Sequence, residues 1–273
     1  MSRAPTFAAF ALFSCILAYG QDPKALVQRM VQHELQAHSD RSHWMYTDSM
    51  TDNSGTKVKA VVESQSGSLA LLMSENGKPI SHSRRMQEEA ELRKRAQDPP
   101  EIKKQQKASD DDARKATAML KILPDAFEYS LVGEDGPTVH LHFRPNPDFD
   151  PPSREAKVFH SMVGDIFIDR KSERLAGLSG TLQSNVNFGF GILGRLEKGG
   201  TFQVRQKEVA PGHWELSLLD VHISGRALFF KSIEEQQHET RTNYHEVSDN
   251  LTPQDAVAML VRMEEQPNRY AAR

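Results

Sequence analysis

A chain of 273 residues with 34 basic and 37 acidic side chains, formal charge −3, has no global field to draw it to nucleic acid or to an anionic lipid surface. Its one cysteine, Cys15, excludes an intramolecular disulfide, so stability has to come from burial, for which the chain is long enough.

Residues Met1 to Gly20 read as an export signal. Arg3 is a short basic n-region, Phe7 to Ala18 an apolar h-region, and Ala18-Tyr19-Gly20 a small-x-small cleavage site before Gln21. The apolar run is shorter than the roughly 20 residues a bilayer core requires, and no later segment approaches that length, so no transmembrane segment is expected in the mature chain. Leu12-Phe13-Ser14-Cys15 loosely resembles the box read before lipidation at a cysteine. Phe13 is bulky for that pattern, however, and Ile16-Leu17-Ala18 continues the apolar run, which favours simple cleavage over an anchor at Cys15. The expected location is periplasmic or secreted, where nucleotides and nucleic acid are scarce partners.

Asp22-Pro23 opens a helix: an oxygen acceptor at the cap, then a ring whose φ is already set. Leu26, Val27, Met30, Val31 and Leu35 recur at helical spacing and predict an amphipathic helix over 23–38. Period-2 alternation follows in Trp44/Tyr46, Val58/Ala60/Val62 and Leu69/Leu71/Met73, broken by Asp52-Asn53-Ser54-Gly55, Ser66-Gly67 and Asn76-Gly77-Lys78-Pro79. Three antiparallel strands are expected there. Between Ser83 and Ala116, ten basic and eight acidic residues crowd together with little apolar stripe, split by Pro99-Pro100; a solvated helix or mobile arm is the expectation. Ser109 and Asp110-Asp111-Asp112 suit a helix start, with Ala113, Ala116, Leu120 and Leu123 on one face and Pro124 as the stop.

From Phe127 the strand period returns. Phe127/Tyr129/Leu131 and Val139/Leu141/Phe143 flank Gly133-Glu134-Asp135-Gly136 as a hairpin, and Pro145 to Pro152 is a loop. Strands are expected at 165–169, 174–181, 202–209, 214–223, 227–233 and 236–247. Thr252-Pro253-Gln254-Asp255 opens a last helix with Ala256, Val257, Leu260 and Val261 inward. Strands at this spacing, with no helix between them, predict an α+β fold: a curved antiparallel half-barrel of about nine strands covered by three helices. It forms one domain over 21–265, with a charged helical insertion at 83–123 and a flexible tail at 266–273.

Few constellations carry chemistry. Gly189-Phe190-Gly191-Ile192-Leu193-Gly194 matches G-x-G-x-x-G, but Gly199-Gly200 and a strand follow where a dinucleotide fold needs a long helix. A glycine-rich connection is the better reading. His140 and His142 share a face, as metal ligands can, yet nothing brings in a third ligand, and two surface histidines are expected. Asp220 and His222 also share a face but lack an aligned nucleophile. Asn250-Leu251-Thr252 fits a glycosylation acceptor whose Thr252 is already used as a cap. Catalytic, cofactor and metal residues are therefore expected to be none.

Leu216, Leu218, Leu219, Val221 and Ile223, then Ala227 to Phe230, are apolar at successive positions on what should be both faces of adjacent strands. Either helices cover the second face or it lines a hydrophobic pocket. Trp44, Leu218, Val221, Phe229 and Phe230 are the candidate cavity-lining residues.

Gly164-Asp165-Ile166-Phe167-Ile168-Asp169 with Arg174-Leu175 and Gly177-Leu178, then Trp214-Glu215-Leu216 and Gly225-Arg226, together with the order of elements, resemble the LolA/LolB/RseB-like exported envelope proteins. The resemblance implies a half-barrel that holds acyl chains, or a sensor domain that binds another envelope protein. It yields a leading expectation, a non-catalytic periplasmic protein binding a lipid or acylated ligand. An interaction or sensor module acting through the charged arm comes second, and a hydrolase third.

Overall fold

The computed structural model describes residues 22–37, 43–64, 67–188, 194–227 and 231–265. The export signal at 1–20 with Cys15, and the tail at 266–273, lie outside the described residues.

Helix α1 (Pro23–Ala37) starts as its cap predicts, Asp22 Oδ1 accepting from the Lys24 amide at 3.1 Å, and buries Leu26, Val27, Met30 and Val31. Strands β1 (His43–Asp52), β2 (Gly55–Ser64) and β3 (Gly67–Glu75) form the expected meander. Asn76 and Gly77, with φ of 51° and 75°, then turn the chain into the short β4 (Lys78–Pro79), a mirror-image turn whose twist matches that of the strands.

The charged segment is helical, and largely solvated over 103–118, but its first helix is more than a solvated one. It forms α2 (His82–Ala96) and α3 (Pro99–Ala126), and α2 buries Leu92 completely, along with Ala96 and Glu89. Glu89 is tolerated because Arg85 and Arg93, one turn to either side, both donate to it. The second helix begins at Pro99 rather than near Ser109, since Asp98 accepts from the Glu101 amide and two prolines preset the first turn. Asp111 and Asp112 sit inside it, paired with Arg114 and Lys115. Pro124 does not end it; the helix runs on to Ala126.

The second half adds β5 (Phe127–Asp135), β6 (Thr138–Pro145), a 3₁₀ turn (Glu155–Ser161), β7 (Met162–Asp169), β8 (Leu175–Leu182), β9 (Val186–Phe188), β10 (Gly194–Leu196), β11 (Thr201–Ala210), β12 (His213–Ala227), β13 (Lys231–Val247) and α4 (Pro253–Glu265). The three strands expected from 214 to 247 are two long ones. Thr252 caps α4, accepting from the Asp255 amide at 3.1 Å and donating to its carboxylate at 2.6 Å.

All the strands belong to one open, curved antiparallel sheet, in the order β4-β3-β2-β1-β13-β12-β11-β8-β7-β6-β5, with β10 and β9 as a branch beside β12. The fold is α+β as expected, with thirteen described strands because β4, β9 and β10 are too short to show a period.

Register fixes the faces. Leu178 pairs with Val204, Val204 with Leu219, Leu219 with Glu239 and Glu239 with Met50, so these share an inner face with Asp48, Tyr46 and Trp44 of β1. On it, α1 and the end of α3 close a core of Leu141, Phe143, Ile166 and Ile168. Helices α2 and α4 lie on the opposite, outer face, over Met45, Ala60, Val62, Leu69 and Leu71. The covering helices expected from the sequence are thus divided between the two faces, the last of them lying opposite the end of α3. The sheet curls toward its inner face: Val209 and Ala210, at the β11–β12 tip, pack back onto Trp44, Tyr46 and Val61.

Candidate functional site

Beneath the second half of α3 lies a cavity of about 350 Å³, within the range of pockets that take small ligands. Helical spacing brings Ala116, Met119, Leu120 and Leu123 to its roof. The C-terminal end of that roof is pinned. Tyr129 donates to the Leu123 carbonyl at 2.6 Å, the Asn146 amide group to the Asp125 carbonyl at 2.9 Å, and the Asn146 backbone to Ala126 at 3.0 Å. These donors satisfy carbonyls that the end of the helix leaves without an intrahelical partner. Val158 and Phe159 of the 3₁₀ turn, with Phe127, form one side. The floor is sheet: Phe143, Met162, Leu178 and Phe202 from β6, β7, β8 and β11. Every lining side chain is hydrocarbon or thioether, so a group bound there gains by burying carbon and finds no polar side chain.

The sequence-predicted residues do not meet in one place. Val221 pairs with Phe202 on the inner face, next to the floor. Trp44 is 3% exposed and packed edge-on to His213 and Tyr244, at 5.7 and 6.2 Å, away from the cavity lining. Leu218 faces outward with Arg205 and Thr240. The run looked apolar on both faces because a bulge at Ser217 shifts the pairing, from Arg205–Leu218 to Gln206–Leu216. Beyond it Leu219, Val221 and Ile223 point inward, while Asp220, His222 and Ser224 point outward. Phe229 and Phe230 lie outside the described residues. Of the true lining, the roof was legible as the Ala116/Leu120/Leu123 face; Met162 and Leu178 carried no distinguishing signal.

A second group on the inner face is polar. Arg241 lies 5.0 Å over the Tyr46 ring and donates to Glu239 at 2.7 Å, and Gln237 donates to the other oxygen of Glu239 at 2.9 Å. Burial, and then the charge of Glu239, push the Asp48 carboxyl up to about 6. Burial, and then Glu63, push Glu215 up to about 7. Glu63, which accepts from the Tyr46 hydroxyl at 3.1 Å, is itself raised by burial.

The outer face bears the histidines. Asp165 Oδ1 accepts from both His140, at 2.9 Å, and His142, at 3.2 Å, while His140 stacks on Phe167 at 4.5 Å. His222 and His238 lie 3.5 and 3.7 Å from Asp220. Among the described residues no group of three or more such side chains could hold a metal ion. The glycine motif at 189–194 falls largely outside the described residues, but the strands beside it, β9 and β10, pair antiparallel, with Phe188 opposite Gly194. A hairpin offers none of the helix N-terminus that a pyrophosphate needs.

No known family matches the chain, and no curated protein matches it. Among solved structures, a DUF1329 family protein from Desulfovibrio piger is similar at a TM-score of 0.31 and 12% identity, over 88% of this chain and 99% of that one. A likeness at that level transfers nothing, so the functional reading rests on the geometry above. No described helix is long and apolar enough to cross a membrane.

Proposed function

We propose that this is an exported, non-catalytic periplasmic protein that binds a hydrophobic or acylated ligand in the cavity beneath α3, in the manner of the LolA/LolB/RseB-like envelope proteins it resembles in layout. The supporting observation is the lining: a cavity of about 350 Å³ between helix and sheet with no polar side chain around it. Carbon and sulfur surface left facing water across such a cleft is costly. A ligand of the same chemistry removes that cost. The competing idea, a module using residues 84–107 as a free arm, has less support because Leu92 and Ala96 of that segment are core.

The test is native mass spectrometry of protein from its own host, together with titration by a fluorescent fatty acid. Bound lipid, or saturable uptake that Ala116→Trp abolishes from the exposed edge of the roof, is the expected result. An empty protein that takes up no fatty acid rules the proposal out.

A further inference from the structure

A row of four residues crosses the floor of the cavity. Register aligns Phe143, Gly164, Gly180 and Phe202 in one row across β6, β7, β8 and β11, on the inner face. The row crosses three strand spacings, about 14 Å. Gly164 and Gly180 are direct cross-strand partners, and both lack what would fill the middle of the row. A Cβ on Gly180 would stand 2.4 and 2.9 Å from two ring carbons of Phe202, and 3.2 Å from Met162 Cγ. A Cβ on Gly164 would stand 2.8 Å from the tip of Phe143 and 1.9 Å from the Ser179 carbonyl oxygen. The two phenyl rings therefore lean in from either end and lie down on bare backbone, where side chains would otherwise hold them up toward α3.

We infer that Gly180 and Phe202 form a length gauge for a linear saturated acyl chain lying along this row under α3. The inference rests on the proposed function and adds its ligand class and the residues that measure it. A row of residues crossing the floor beneath a helix suits an unbranched chain laid along it. No polar side chain lines the cavity, so the buried part of the ligand is hydrocarbon and any head group stays outside.

Gly180 is the position to change, because the three atoms nearest to a Cβ there belong to side chains, the ring tip of Phe202 and Met162 Cγ, and both residues line the cavity. At Gly164 the clash is with backbone, and the sheet itself would have to move. In Gly180→Ala the ring of Phe202 has to lift into the cavity, and Gly180→Ala/Phe202→Leu restores the room. Phe202→Ala deepens the cavity.

The experiment displaces a fluorescent fatty acid from the full mature protein with the saturated series from octanoate to stearate. Each methylene that no longer finds cover lowers affinity about fourfold. The optimum is expected to move to shorter chains in Gly180→Ala, back again in the double variant, and to longer chains in Phe202→Ala. If Gly180→Ala does not fold, Phe202→Ala decides alone. A wild-type length preference that neither substitution moves overturns the gauge and leaves the proposed function standing. A wild type that binds no member of the series overturns both.

Discussion

Glu34 shows how one side chain can fasten a helix to a sheet. It sits on α1, 3% exposed, and accepts from Arg174 at 2.7 and 3.3 Å, from the Leu175 amide at 2.9 Å and from Gln206 at 3.5 Å. Arg174, also buried, reaches the Gly212 carbonyl at 3.5 Å, so α1, β8 and the β11–β12 tip are tied through one ion pair. Burying two charges brings little net gain, but removing one strands the other in a medium that cannot solvate it. Glu34→Ala is therefore expected to cost about 3–5 kcal/mol, read as a lower denaturant midpoint in equilibrium unfolding. A loss no larger than that of an exposed Glu→Ala control would show that the pair is not shielded from water. Glu34 continues the spacing of Leu26, Met30 and Val31, but a charged residue there reads as solvent-facing until its partner, 140 positions on, is known. Gly164 and Gly180 were opaque for a similar reason, since a glycine inside a strand does not announce which ring leans over it. The pairing of His140 and His142 on one solvated face followed from strand period alone, whereas the bulge at Ser217, which turns Leu218 outward, left no trace in the residue types.

Elements were legible in proportion to their own amphipathic pattern. Helices α1 and α4 carry a cap and an apolar stripe, and β1 to β3 alternate between clear turns, so they stood out. In α2, which packs against α4 and β3, the buried apolar residues are Leu92 and Ala96, and their signal is swamped by the charged positions around them. The start of α3 was misplaced because Asp110 to Asp112 look like a cap, although Asp98-Pro99-Pro100 provides one earlier. Having no exposure at all, Leu92 is expected to behave as a core residue: Leu92→Ala should destabilise by about 2–5 kcal/mol in the same unfolding experiment. A free arm would tolerate the change at no measurable cost, and that outcome would detach α2 from the fold described here.

The inner face of the whole molecule joins an apolar half, under α1 and α3, to a polar stretch where Asp48, Glu63 and Glu215 gather near Arg241. Burial is the largest cause of the rise in all three carboxyl pKa values, with Glu239 acting on Asp48, and Glu63 on Glu215. Arg241 lowers all three, Lys59 opposes at Asp48, and Arg174 opposes at Glu215. A group with a higher pKa in the native state holds its proton there after the unfolded chain has released it, so these three favour folding on the acid side. That contribution is lost as pH rises through about 6 for Asp48 and about 7 for Glu215. The melting temperature should fall between about pH 5 and pH 8, and Glu215→Gln should flatten that slope. A melting temperature that rises over this range would contradict the buried placement of the cluster. The curved α+β layer was foreseeable from the count and spacing of strands. Its two-sided arrangement was not, because an apolar stripe shows that a helix is covered without showing which side of a sheet does the covering.

Strand β5 ends the sheet, and Val132 is an extra residue there, between Leu131 opposite Leu141 and Gly133 opposite His140. Leu131 and Val132 are 55% and 57% exposed, a combination that on a straight border would invite molecules to stack edge to edge into fibrils. The kink at Val132 breaks the even row of amides and carbonyls that such stacking copies, so a greasy rim can face water without seeding aggregation.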